Sequence, residues 1–171
     1  KERSKDYYCE NIIKCMNWLG LDWDGDIVYQ SKNKTYHIEL AEKLLSEKKA
    51  YKCYTSKQEI DEARIVAKKE NRPYRHDRKW RSYKGNLNKP YVVRVKIPIT
   101  KKTTLNDKIL GEININNNEL EDFVILRSDK SPTYMLSVVA DDYLMGITNV
   151  IRGDDHLTNT FKQLILFDLF N

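Results

Sequence analysis

The sequence predicts an α/β fold interrupted by a smaller α+β block, on three observations. Residues 147–151 form a short, mostly apolar run of the kind that lies in a parallel sheet, with helical patterns on both sides. Residues 51–130 carry several short alternating strand patterns and only one helix pattern. The first 50 residues return to helical periodicity, so the α+β block sits inside the chain.

Each element has its own reason. Residues 5–19 read as a helix, because Tyr8, Ile12, Cys15, Met16 and Leu19 fall on one face. Ser4 is its expected N-cap and Gly20 its stop. Residues 21–29 are irregular, with a turn at Asp24-Gly25. A second helix is expected over about 34–48, with Tyr36, His37, Leu40, Ala41, Leu44 and Leu45 on its apolar side. Lys48 and Lys49 suit the negative end of its dipole. Residues 51–54 read as a strand. Ser56-x-x-Glu59 is a capping box that opens a thin-faced surface helix ending near Asn71-Arg72-Pro73.

In residues 91–97, Tyr91, Val93, Val95 and Ile97 alternate with Val92, Arg94 and Lys96, a half-buried strand stopped by Pro98. Ile109, Ile113 and Ile115 mark another strand, broken by Gly111. Residues 122–127 read as a strand and 128–132 as a turn. A buried helix is expected over 134–144, then the apolar strand 147–151. The last helix begins near 158–160, with Leu164, Ile165, Phe167 and Leu169 on its core side.

Composition narrows the function classes. The chain has 171 residues, 40% apolar and 11% aromatic, with a mean hydropathy of −0.69, which suits a globular domain rather than a disordered one. No apolar run approaches the roughly 20 residues of a membrane helix. Three scattered cysteines and three scattered histidines predict neither a disulfide framework nor a metal cluster, and fit a reducing compartment. The one Asn33-Lys34-Thr35 sequon is read as chance. A Lys at position 1 and an apolar run into Phe170-Asn171 predict a piece of a longer protein.

The formal charge is +5, and all of it is local. Residues 72–84 hold six of the 30 cations (Arg72, Arg75, Arg78, Lys79, Arg81, Lys84) and one of the 25 anions (Asp77), so 24 of each remain elsewhere. Tyr74, Trp80 and Tyr83 are interleaved. Cations that neutralise phosphates beside aromatics that stack on bases point to nucleic acid. The competing reading is a solvated loop.

Two further constellations carry chemistry. In residues 147–156, ITNVIRGDDH, Arg152 stands where a strand ends and a helix is about to begin, the edge at which open α/β sheets bind ligands. Its fork matches a carboxylate or phosphate, Gly153 permits close approach, and Asp154 and Asp155 can accept from sugar hydroxyls. The alternative is an Arg152–Asp ion pair with the other Asp as a helix cap. In residues 131–142, Tyr134 opens a helix after a Pro turn, either as a pocket hydroxyl or as a satisfied core tyrosine. Asp141-Asp142 is either a paired acid site or two solvated carboxylates. No GxxxxGK[ST] or GxGxxG fingerprint is present.

Together these segments resemble bacterial-type glutamyl-tRNA synthetases, class I aminoacyl-tRNA synthetases, over essentially the whole chain. The matching strings include Asn17-Trp18-Leu19-Gly20-Leu21-Asp22-Trp23-Asp24, Tyr29-Gln30-Ser31 and Ala50-Tyr51-Lys52-Cys53-Tyr54. They continue through Asp122-Phe123-Val124-Ile125-Leu126-Arg127-Ser128-Asp129, Pro132-Thr133-Tyr134, Asp141-Asp142 and Met145-Gly146-Ile147-Thr148. Val150-Ile151-Arg152-Gly153-x-Asp155-His156-Leu157 is the most specific.

The resemblance implies a Rossmann-like catalytic domain (1–50 and 131–171) split by an inserted tRNA acceptor-binding domain (51–130). It implies ATP-dependent attachment of L-glutamate to tRNA(Glu) through glutamyl-adenylate, by a monomeric cytoplasmic enzyme using ATP and Mg2+. Tyr134 and Arg152 would bind glutamate, Asp155 would face ATP, and Arg72, Arg75, Arg78, Lys79, Arg81 and Lys84 would face tRNA. The HIGH-type and KMSKS-type motifs and the family's upstream Arg and Glu are absent, so the 171 residues alone are expected to be inactive. Family members with zinc in the insert use Cys-x-Cys and a later Cys. Here Thr55 and Trp80 stand at two of those positions, so no zinc is expected. Val138 replaces an Asn of some relatives. The alternatives are the paralogue that glutamylates queuosine on tRNA(Asp), and a non-catalytic RNA-binding module.

Overall fold

The computed structural model describes residues 5–171. Five helices are α1 (Asp6–Trp18), α2 (Lys34–Ser46), α3 (Lys57–Lys69), α4 (Tyr134–Leu144) and α5 (Leu157–Phe170). The strands are β1 (Ala50–Cys53), β2 (Val92–Val95), β3 (Lys102–Asp107), β4 (Gly111–Asn116) and β5 (Val124–Leu126). Short 3-10 turns precede α2 and α5 and lie within the basic segment.

Gly20 and the Ser56–Glu59 box act as the sequence leads one to expect, and Gly146 makes a further cap. After α1, Gly20 has φ +66° and the Leu21 N–H reaches back to the Met16 carbonyl. After α4, Gly146 has φ +65° and Ile147 N–H bonds Asp142 O at 2.9 Å. Both are left-handed caps that only glycine adopts freely. The Ser56–Glu59 capping box closes reciprocally at the start of α3. Ser4 lies outside the described residues. Lys49 has a more specific task than meeting the dipole of α2. Its Nζ donates to Leu169 O at 2.9 Å, and Lys43 Nζ donates to Phe170 O at 3.1 Å, so two lysines near the end of α2 satisfy the last carbonyls of α5.

β1, β2 and β5 form one antiparallel sheet with β2 in the centre, and β3 and β4 form a separate hairpin. The sheet packs on α2 and α4, and α5 packs on those two helices and on β3. Leu44, Val95, Ile125, Leu136, Val139 and Leu166 are fully buried in one continuous core that draws on all three stretches of the chain.

Two expectations are corrected. Residues 147–151 form no strand, and Ile151 is 100% exposed. A strand needs a neighbour for its N–H and C=O groups, and none of the described strands lies beside it, so no parallel sheet forms among the described residues. Gly111 does not break a strand. It takes φ +78° after a three-residue loop in which Asp107 Oδ1 accepts from the Ile109 and Leu110 N–H groups at 2.8 Å. Ile109 therefore sits at a hairpin tip, and β3, not expected from the sequence, pairs with β4. The apolar side of α1 is not buried. Tyr8, Ile12 and Leu19 are exposed, and no residue of α1 is buried.

Candidate functional site

Arg152 is held by the helix that follows it. The chain leaves the α4 cap, passes Arg152 and the extended Gly153, makes a 3-10 turn over Asp154–His156 and enters α5. Arg152 Nη1 donates to Gln163 Oε1 at 2.6 Å and to Thr160 Oγ1 at 3.3 Å. Neither Asp154 nor Asp155 forms an ion pair with it, and neither caps the helix. The structural alternative for this motif is therefore not the one adopted. A cleft of about 250 Å³ opens here, lined by Arg152, Gly153, Asp154 and Thr160 and, from the hairpin, by Asp107 and Leu110.

Asp155 is exposed. Its carboxylate folds back so that a Cβ at Gly153 would stand 2.5 Å from Asp155 Oδ1. The close approach that Gly153 permits is thus made first by Asp155 itself. Tyr134, at the first position of α4, is 54% exposed and is not a satisfied core tyrosine. Tyr134 and Asp155 lie outside the lining of the Arg152 cleft.

Asp141 and Asp142 point to different environments. Asp141 is buried and accepts from His37 Nε2 at 2.7 Å and Asn33 Nδ2 at 2.9 Å. Burial pushes its carboxyl up, but the hydrogen bonds from His37, Asn33 and Gln30 outweigh it and hold the group below the usual carboxylate range. This network ties α2 to α4 under the site. Asp142 is half-buried. Burial raises its pKa, against the opposing charge of Arg152. Residue type and order point to Arg152 but not to Gln163, Thr160 or the Asp107 hairpin. Partners eight and eleven residues away, across a turn, leave no periodic signal.

The profile of class I tRNA synthetases (E and Q), catalytic domain, matches residues 1–171. The chain belongs to this family. It is 47% identical over 167 residues to a glutamate–tRNA ligase of Thermodesulfovibrio yellowstonii, covering 98% of this chain and 36% of that protein. It is 49% identical over 162 residues to glutamate–tRNA ligase 2 of Helicobacter acinonychis, covering 94% and 35%. The crystal structure of a glutamate tRNA ligase from Elizabethkingia meningosepticum in complex with its amino acid superposes with a TM-score of 0.85 at 26% identity, over 99% of this chain and 38% of that one. The chain spans about a third of the length of the curated relatives it matches. It has the mixed α/β fold of the class I synthetase catalytic region.

Within this synthetase domain the basic segment divides into two kinds of cation. Asp122 is fully buried. Arg81 Nε donates to its Oδ2 at 2.5 Å and Arg81 Nη2 to its Oδ1, while Tyr51 Oη and Ile97 N–H add bonds of 2.9 and 3.2 Å. Arg78 Nε lies 3.8 Å from Asp122 Oδ1, and its Nη2 bonds Leu120 O. Burial lowers the Arg81 pKa and the Asp122 carboxylate raises it by more. Arg78 and Arg81 thus fasten the segment to the sheet. Lys79 pairs with Glu59 at 2.8 Å and Arg72 with Glu70 at 2.5 Å, all four exposed. Arg75 and Lys84 are exposed and have no ion pair among the described residues.

The aromatics of the segment are partly spent on packing. Trp80 stacks edge-on with Tyr54 and Tyr83, at 5.1 and 5.3 Å, and its Nε1 donates to Thr55 Oγ1 at 2.9 Å. Cys53 lies beneath, 3.4 Å from His76 Nε2 and 3.4 Å from Thr55 Oγ1. His76 Nδ1 accepts from the Arg78 N–H at 3.2 Å, which places the imidazole proton on Nε2, facing the sulfur. Burial pushes the Cys53 thiol up, but hydrogen bonds from His76 and Thr55 bring it down to about 7. One thiol, one imidazole, a hydroxyl and an indole are not a zinc donor set. Among the described residues no group of three or more His, Cys, Asp or Glu could hold a metal ion. Among the described residues no helix is long and apolar enough to cross a membrane.

Proposed function

We propose that the protein at full length attaches L-glutamate to tRNA(Glu) through a glutamyl-adenylate. The observation that carries the reading is Arg152. It lines a cleft, forms no ion pair with Asp154 or Asp155, and stands in a chain 47% identical to a glutamate–tRNA ligase. The α-carboxylate of glutamate must stay free to attack the α-phosphate of ATP and expel pyrophosphate. A carboxylate held in two charge-assisted bonds is a poor nucleophile, so Arg152 holds the side-chain carboxylate. Tyr134 offers an exposed hydroxyl to the same substrate. Asp155 takes the adenosine side of ATP, where a carboxylate accepts from ribose hydroxyls. ATP enters with Mg2+. The glutamyl group then passes to the terminal adenosine of the tRNA. These residues act by positioning and charge, without covalent chemistry of their own.

In this reading 1–50 and 131–171 are the two parts of a Rossmann-like domain, and 51–130 is the inserted unit that meets the tRNA acceptor end. Arg72, Arg75, Lys79 and Lys84 face phosphate. Arg78 and Arg81, bound to Asp122 and Leu120 O, set the shape of that surface rather than its free charge.

The test is ATP–pyrophosphate exchange with the full-length protein, glutamate and glutamate-accepting tRNA. Exchange is expected, and Arg152→Ala should reduce kcat/KM for glutamate by about 100-fold or more without unfolding the protein. No exchange with any glutamate-accepting tRNA overturns the reading. Near-normal glutamate kinetics in Arg152→Ala overturns the role of that residue.

A further inference from the structure

We infer that Gln163, together with Thr160, is a positioning residue that decides which edge of the Arg152 guanidinium receives the substrate carboxylate. This rests on the reading of Arg152 as the glutamate clamp. The two side chains are three residues apart on α5, so they lie on one face of the helix and meet the same guanidinium nitrogen. Arg152 Nη1 has two hydrogens, and Gln163 Oε1 and Thr160 Oγ1 take both. Thr160 Oγ1 donates its own hydrogen to His156 O at 3.4 Å, which leaves a lone pair for Arg152. What remains is the Nε–Nη2 edge, for which no acceptor is found among the described residues. That edge carries two parallel N–H groups spaced for one carboxylate. The occupied Nη1 rules out an end-on approach through both terminal nitrogens.

Gln163 is oriented for this and for nothing else in its surroundings. It is 6% exposed, on the side of α5 that also buries Leu166 and Phe170. Its Nε2 is buried and has no hydrogen-bond partner. Turning the amide over would face Nε2–H against the guanidinium N–H groups, donor against donor. Arg152 therefore fixes the amide, and the helix keeps an unpaired buried donor to supply one acceptor. A leucine here would fill the same space without that cost.

The experiment measures ATP–pyrophosphate exchange in the full-length protein carrying Gln163→Met, which keeps the volume and removes the acceptor, and Thr160→Val. Gln163→Met should raise KM for glutamate about tenfold or more while KM for ATP stays within about twofold. Thr160→Val should act in the same direction and less strongly. In the Arg152→Ala background Gln163→Met should add no further loss, because it acts through Arg152. If Arg152→Ala is impaired but glutamate KM in both single variants stays within about twofold of the parent, the positioning role is wrong and the clamp stands. Equal losses for ATP and glutamate, or the full loss added on Arg152→Ala, would make Gln163 a packing residue and also overturn it. Normal kinetics in Arg152→Ala would instead remove the clamp itself. If Gln163→Met does not fold, the Thr160→Val result decides in the same way.

Discussion

Asp122→Asn is the sharpest probe of how the basic segment is held. The carboxylate is 0% exposed and accepts on both oxygens: Oδ1 from Arg81 Nη2 and Ile97 N, Oδ2 from Arg81 Nε and Tyr51 Oη. An asparagine keeps the shape but offers one acceptor. Whichever way it turns, its NH2 faces two donors, and Arg81 is left largely buried without a counter-charge. Removing one partner of such a pair costs about 3–5 kcal/mol. That is a large share of the roughly 5–15 kcal/mol that stabilises a domain. In urea, with m near 2 kcal/mol/M, the midpoint should fall by about 2 M at unchanged m. Replacing Asp122 and Arg81 together by leucine should recover the part of the loss that comes from the stranded Arg81 charge, while Tyr51 Oη, the Ile97 N–H and Arg78 still lose their acceptor. A loss below about 1 kcal/mol for Asp122→Asn, or no recovery in the double variant, would refute the argument.

Two other outcomes test the same region. Arg75→Ala with Lys84→Ala should weaken tRNA binding by the full-length protein and make log K against log salt less steep by about 1.5, the share of two released phosphate contacts. An unchanged slope would remove these residues from the RNA contact. Cys53 gives a pH signature. Its folded pKa of about 7 lies below the ordinary thiol value of 9.0, so the unfolded chain binds more protons in between. Its contribution is full above pH 9 and is lost as pH falls through 7. Urea stability should therefore rise from pH 7 to 9 in the parent and stay flatter in Cys53→Ala. Parallel profiles would mean that the His76–Thr55 contacts do not hold the thiolate.

The helices were legible because their signals are local. Ser56 and Glu59, Gly20, and the spacing of Leu40, Ala41 and Leu44 each act within one or two turns of backbone. The strand pattern of 91–97 was legible for the same reason, since alternation is a property of one strand. β3 was not. Lys102–Asp107 has few apolar residues and exists because β4 pairs with it through the Asp107 turn. Residues 147–151 mislead in the other direction. Their composition suits a buried strand, yet backbone pairing belongs to two segments, and among the described residues the second is missing.

The candidate site divides along the same line. Arg152, Tyr134 and the +5 of residues 72–84 stand out from residue type and order alone. Charge and donor geometry are intrinsic to a side chain, so the sequence by itself determined which chemistry is on offer and which family it belongs to. Its availability was decided only by the tertiary structure. Burial beside Asp122 turns Arg81 from an RNA contact into a fastening, and the reach of α5 to Arg152 takes one nitrogen and leaves the other edge open. The physical reason is that the free energy of a charge depends on its partners and its exposure to water. Both are set by residues distant in the chain.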